Sequence, residues 1–204
     1  MAIDETVGIR VATEDDVPDI RRVIRSAILG LAFRDYPTDV LDNWGVNSPE
    51  TSAQQEEAIR ESRELTWVAV AAGTIVGFSA LDPERGVVRA VYVAAEAARC
   101  GVGTQLLAAV EARARALGIA RLILDSSLTA VPFYRHHGYV SLGDYVHRLA
   151  NGYPNEGRTN GEGPVVGRFV NGTIRALRDL VRKGGLEPPR YCYRQPLKLD
   201  DLLC

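Results

Sequence analysis

The chain has 204 residues, 46% hydrophobic and 25% charged, with a formal net charge of −2, which suits one globular domain with a single core. This balance leaves no basic footprint for nucleic acid or an anionic membrane, and no stretch reaches the roughly 18 apolar residues that a membrane span needs. The first residues carry no basic start followed by an apolar run, so a cytoplasmic protein acting on small molecules is expected.

From the N-terminus, Val7 to Val11 reads as a short strand. Thr13 is placed to cap a helix running to about Leu29, with Asp15 and Asp16 at its positive end. Leu31 to Ser48 lacks steady periodicity, and Pro49 to Glu64 returns to a polar helical pattern; this region is expected to cover the acceptor of any reaction. Thr66 to Ala72 and Thr74 to Leu81 predict a hairpin about Gly73, and Val87 to Val93 a third strand after a Pro83 to Gly86 turn. Gly103 to Leu117 sets Leu106, Leu107, Val110, Ala114 and Leu117 at helical spacing, with Gly118 as C-cap. Arg121 to Leu124 is a further strand, Ala130 to His137 a short helix ended by Gly138, and Tyr139 to Leu149 mostly extended. The alternation predicts an α/β or α+β fold.

The segment from Val91 to Leu107 ends a strand, turns at Gly101 and Gly103, and opens the long helix. Such a turn can hold an anion, because glycine lets the backbone come close while free N–H groups and the helix dipole face the charge. No Lys follows to make a phosphate loop of the GxxxxGK type, and no third Gly completes a dinucleotide fingerprint, so ATP and NAD are disfavoured. Taken alone, the glycines fit a plain tight connection equally well.

A second segment adds Ala130, Phe133, Tyr134, Gly138 and Tyr139 after the next strand. Together the two resemble the GNAT superfamily of N-acetyltransferases, over about Ile9 to Leu149. The glycine turn is similar to the family's Gln/Arg-x-x-Gly-x-Gly/Ala motif, with Ala98 in the first place. The later segment is similar to its Asn-x-x-Ala-x-x-Phe-Tyr-x-x-x-Gly-Phe pattern, with Ser127 in the place of Asn.

The resemblance implies a mixed, mostly antiparallel central sheet flanked by helices, and acetyl-CoA as acetyl donor. Its pyrophosphate would lie on backbone amides from Arg99 through Cys100, Gly101, Val102 and Gly103 to Thr104. Its pantetheine arm would pair along Val91, Tyr92 and Val93, in a slot where the strands of Val93 and of Arg121 to Asp125 splay apart. Ser127, Ala130 and Phe133 would complete the donor site, and Tyr134 would protonate the departing thiolate. The reaction implied is direct attack of a primary amine, from a small molecule or a peptide, on the thioester. The alternatives are an inactive acyl-CoA sensor and an inactive chain; a homodimer is left open.

The strand VVRAVYV carries no carboxylate to act as base, and Asp82, Glu84 and Asp125 are weighed as substitutes against ordinary turn or strand-end acids. Arg89 could attract an anionic acceptor, although an exposed strand arginine is the commoner explanation. His136 and His137, about 100 degrees apart on a helix, make a poor metal pair and read as solvent-facing. Cys100 reads as a turn residue; with Cys192 and Cys204 it forms no CxxC pair, so free thiols and no metal are expected.

Composition changes after Asn151. No lysine precedes it, both lysines, Lys183 and Lys198, follow it, and Gly152, Gly157, Gly161 and Gly163 crowd beside Pro154 and Pro164. Residues 1–151 are therefore read as the acetyltransferase domain. Residues 152–204 are read as an atypical, largely disordered tail with a short helix near 172–182, and as a frame-shifted product, the alternative being a genuine family-specific tail. A one-base shift within the Tyr153 codon converts the Asn-Glu and Asn-Gly junctions to Met or Thr codons, as a GNAT terminal strand would want. On this reading the sheet lacks a central pairing unless Val165 to Val170 substitutes.

Overall fold

The computed structural model describes residues 6–44, 49–61, 63–146 and 162–169. Seven strands form one sheet: β1 Gly8–Val11, β2 Leu65–Ala71, β3 Thr74–Asp82, β4 Val87–Val93, β5 Arg121–Asp125, β6 Val140–Val146 and β7 Glu162–Phe169. Their order is β1-β2-β3-β4-β5-β7-β6, antiparallel throughout except for the parallel neighbours β4 and β5. The predicted mixed, mostly antiparallel sheet is the one found.

Among the described residues five α-helices accompany it: α1 Val17–Leu31, α2 Thr38–Asn43, α3 Pro49–Arg60, α4 Val102–Ala116 and α5 Val131–His136. Thr13 stands at the expected N-terminus, where its backbone N–H and its hydroxyl both donate to Asp16 Oδ2, at 2.8 and 3.2 Å. Arg10 grips the same carboxylate through both terminal nitrogens at 2.7 Å, which holds Asp16 down to about 2. The stretch after Leu31, without periodicity in sequence, contains a 3₁₀ turn at Ala32–Arg34 and α2; six residues are too few to display a helical period.

The two faces of the sheet are covered differently. On one, Ile20 and Val23 of α1 pack with Val68, Ile75 and Phe78. On the other, Leu107, Val110 and Ala114 of α4 pack with Leu81, Val88, Leu122 and Leu124. Burying each of these large side chains contributes roughly 1.5–3 kcal/mol. Ala72 and Gly73 close the β2–β3 hairpin with φ of 49° and 74°, the pair of left-handed residues that a two-residue loop uses. At Gly86 a Cβ would stand 2.7 Å from the Arg121 carbonyl, so only glycine lets β5 pass there. Among the described residues no helix is long and apolar enough to cross a membrane.

Strand β7 lies inside the segment read as tail, and it occupies the central place between β5 and β6. Its register runs from Arg121↔Phe169 to Asp125↔Val165 on one side and from Val140↔Gly167 to Val146↔Glu162 on the other. The substitute pairing foreseen for Val165 to Val170 is thus the one made by Val165 to Phe169. The helix expected near 172–182 lies outside the described residues.

Candidate active site

Strands β4 and β5 pair at one position, Val87 opposite Ile123, reinforced by the Ile123 N–H donating to Gly86 O at 3.1 Å. Beyond it each strand keeps its outer partner: Val91, Tyr92 and Val93 face Ser79, Phe78 and Gly77, while β5 faces β7. Among the described residues the two strands have no further pairing with each other, so their C-terminal ends are not joined by ladder hydrogen bonds. Val91 and Val93 pack with Val102 and Leu106 on the α4 side. Tyr92 stacks on Phe78 at 5.5 Å on the α1 side.

The turn before α4 opens at the same end. Arg99 has φ of 66° and Gly101, the N-cap, has φ of 80°. Left-handed residues in such a turn bring successive backbone N–H groups onto one concave side, an arrangement that takes anions. The first intrahelical bond is Gln105 N–H to Gly101 O at 3.1 Å, so the N–H groups of Val102, Gly103 and Thr104 belong to the orphan set of a helix start. No acidic residue stands in this first turn. A Cβ on Gly103 would lie 3.4 Å from the Phe133 ring and 3.6 Å from Val93, so the glycine floor sits where turn, gap and α5 converge. These features fit a pyrophosphate on the turn with an extended arm leading into the gap. Cys100 is an exposed turn residue, its thiol 3.5 Å from Ala98 O.

Helix α5 brings the second segment to this place. Ser127 Oγ accepts the Ala130 N–H at 3.3 Å, so the hydroxyl in the Asn position caps its own turn. Ala130 and Phe133 pack on the α4 core. Tyr134 is buried, its ring edge-on to Phe133 at 5.1 Å and to Tyr139 at 5.5 Å. Burial, with Tyr92 nearby, pushes its phenol well above the usual tyrosine range, so it stays protonated. His137 corrects the solvent-facing reading: it is half-buried, 3.2 Å from Thr104 Oγ1 and packed on Phe133 at 4.6 Å. His136 is exposed. The adjacency of two histidines hid that α5 ends against the start of α4.

The three acids separate clearly. Asp82 pairs with Arg85 and Glu84 is exposed in the same turn, as ordinary turn acids. Asp125 is half-buried at the tip of β5, where burial pushes it up to about 6 against the pull of Arg89. Arg89 is not the free anion attractor considered from sequence, because its Nε donates to Glu64 Oε1 at 3.1 Å. It stands where the register slips, with Val88 opposite Leu81 and Ala90 opposite Ala80, so it is the extra residue of a bulge. Neither the bulge nor Glu64 had a signal in the sequence.

Parallel strands that lose their pairing above a glycine turn agree with the arrangement that the GNAT resemblance implies, and the family comparison points the same way. The model of the acetyltransferase (GNAT) domain matches residues 33–150, more than half of the 204; the chain belongs to the GNAT family. Among solved structures it is similar to a GCN5-related N-acetyltransferase from Rhodopseudomonas palustris, at 24% identity and TM-score 0.68 over 80% of this chain and 96% of that one. It is also similar to the PaiA N-acetyltransferase of Thermoplasma acidophilum in complex with coenzyme A, at 17% identity and TM-score 0.59 over 80% and 99%. A third is YncA, a putative acetyltransferase from Salmonella typhimurium with its cofactor acetyl-CoA, at 20% and 0.60 over 83% and 96%. At these identities the likeness is one of fold. Comparison with curated proteins gave no match.

Proposed function

We propose that this acetyltransferase moves an acetyl group from acetyl-CoA to a primary amine by direct attack. The observation that carries the reading is the loss of pairing between β4 and β5 beyond Val87 and Ile123, with the Arg99 to Thr104 turn at the same end. Backbone N–H groups of that turn would hold the pyrophosphate, and the edge of Val91 to Val93 would pair with the pantetheine arm. Bound there, acetyl-CoA supplies the activated acetyl thioester.

The remaining chemistry falls to the chain. The acceptor's neutral nitrogen must be held at the thioester carbon, and backbone N–H groups near Val93 would polarise the carbonyl. Tyr134 gives a hydrogen bond, and then its proton, to the departing sulfur. Because burial disfavours a tyrosinate, that transfer requires the phenol to be reprotonated as the reaction ends. A non-catalytic acyl-CoA sensor is the second reading, favoured by the lack of any carboxylate on β4.

Isothermal titration with acetyl-CoA, together with thiol release on adding amines, tests both. Binding with amine-dependent thiol release is expected. Binding without release in any amine class would favour the sensor, and no binding would remove both readings.

A further inference from the structure

The proposed reaction needs a group that takes a proton from the acceptor, and β4 offers none. Strand geometry directs attention to the next strand. Leu122 and Leu124 of β5 pack under α4, so by alternation Arg121, Ile123 and Asp125 project from the opposite face. Ala90 and Tyr92 of β4 lie on that same face, against the α1 side of the core. Asp125 and Tyr134 therefore approach the β4–β5 gap from opposite faces of the sheet, as a base and an acid on two sides of one reacting carbon would.

The surroundings of Asp125 suit a cationic guest. Its carboxylate is half-buried, and among the described residues no donor hydrogen-bonds to it. The positive neighbour, Arg89, is already engaged by Glu64 at 3.1 Å. Ionised, Asp125, Arg89 and Glu64 together carry one net negative charge. Among the described residues, the other titratable groups to weigh are Arg121 on the same face of β5, Tyr92 on β4, Tyr134 on α5, and Asp35 and Tyr36 on the linker after α1. Asp35 accepts from Thr129 and Tyr36 from the Leu128 N–H, so both are engaged by the turn that follows Asp125. Opposite Asp125 on β7 stands Val165, with no charge.

We propose that Asp125 is the general base of the transfer, receiving the acceptor as an ammonium on the α1 face of the sheet. The proposal rests on the acetyl-transfer reading. The ammonium gives one proton to the Asp125 carboxylate, and the freed lone pair forms the C–N bond. The C–S bond breaks with its electron pair on sulfur, and the second nitrogen proton reaches that sulfur by way of Tyr134. Asp125 then releases its proton to water. An amine cation and the thioester become the amide, the thiol and one proton, so atoms and charge balance. A carboxylate held near 6 is a stronger base than an ordinary aspartate and is still ionised at neutral pH.

The test uses the full chain, acetyl-CoA and four amines: a small alkylamine, an amino sugar, a peptide N-terminus and a lysine peptide. For the best acceptor, kcat/KM should fall on its acid side with an apparent pKa near 6. Asp125→Asn should lower it by about 100-fold or more and abolish that limb, while acetyl-CoA affinity by calorimetry is unchanged and Asp125→Glu recovers part of the rate. If Asp125→Asn keeps its rate within about 3-fold and keeps the acid limb, the base assignment is overturned while acetyl transfer stands. Acetyl-CoA binding without transfer to any of the four amines would overturn the assignment by removing the reaction. Failure of acetyl-CoA to bind would overturn the acetyltransferase reading itself.

Discussion

The Tyr36 hydroxyl accepts the backbone N–H of Leu128 at 2.8 Å, joining two points 92 residues apart. Beside it Thr129 Oγ1 donates to Asp35 Oδ2 at 2.6 Å, and Trp44 meets the Tyr36 ring edge-on at 4.9 Å. The linker between α1 and α2 is thereby pinned to the turn that follows Asp125. Tyr36→Phe leaves that N–H unpaired and should destabilise the fold by about 1–3 kcal/mol. If the linker covers the acceptor, KM for the amine should rise while acetyl-CoA affinity by calorimetry does not move.

Gly101 has φ of 80° at the start of α4, and a Cβ there meets nothing within 4 Å. Gly101→Ala should therefore cost about 1 kcal/mol in backbone strain alone, read by denaturant melts. Gly101→Asp adds a negative charge to the turn and should abolish acetyl-CoA binding, as should Gly103→Glu. Calorimetric affinities equal to wild type in both acidic variants would remove the pyrophosphate assignment.

Tyr134→Phe keeps the ring contacts with Phe133 and Tyr139 and removes the hydroxyl alone. Turnover should drop roughly 10- to 1000-fold with near-normal acetyl-CoA affinity. Unchanged steady-state turnover would leave Tyr134 as a packing residue.

Asp125 also predicts a pH-dependent stability. The folded state holds its proton up to about 6 and the unfolded chain releases it near 3.8. Between those values the unfolded state binds fewer protons, so stability falls as pH rises through the window and is level above it. Asp125→Asn should raise stability above pH 6 by at most about 3 kcal/mol, less to the extent that water reaches the carboxylate, and the gain should vanish below about pH 4. Thermal melts at pH 4 and pH 7.5 compare the two. An equal effect at both would mean that the carboxyl is not desolvated in the folded protein.

The tail offers a fifth check. Ending the chain after Asn151 removes β7 and leaves β5 and β6 without the strand they share, so that product should aggregate. Ending it after about residue 171 retains β7 and should give a soluble protein that binds acetyl-CoA. A soluble, acetyl-CoA-binding 151-residue product would show that β7 is dispensable.

Most elements were legible because their signals are local. The hairpin turn at Gly73, the alternation of β2 to β4, and the spacing of Leu106, Leu107 and Val110 each declare themselves within a dozen residues. Strand β7 was not, since Gly163, Pro164 and Gly167 interrupt any strand pattern and its pairing with β5 is set by partners 40 to 48 residues away in the chain. Asp125 looked like a strand-end acid because its chemistry comes from burial and from Arg89, neither of which has a sequence spacing. His137 was misread because a helix count gives direction on α5 and says nothing about α4 standing at its end.

Placing the last described strand in sequence between β5 and β6 also fixes an order of events during synthesis. Strands β1 to β4 pair with sequence neighbours, or nearly so, and can assemble as soon as they leave the ribosome. The half beyond the β4–β5 joint cannot, because β5 and β6 must wait for Phe169 to emerge before either finds its central partner. Until then the nascent chain presents two unpaired strand edges, and that interval is when it most needs a chaperone.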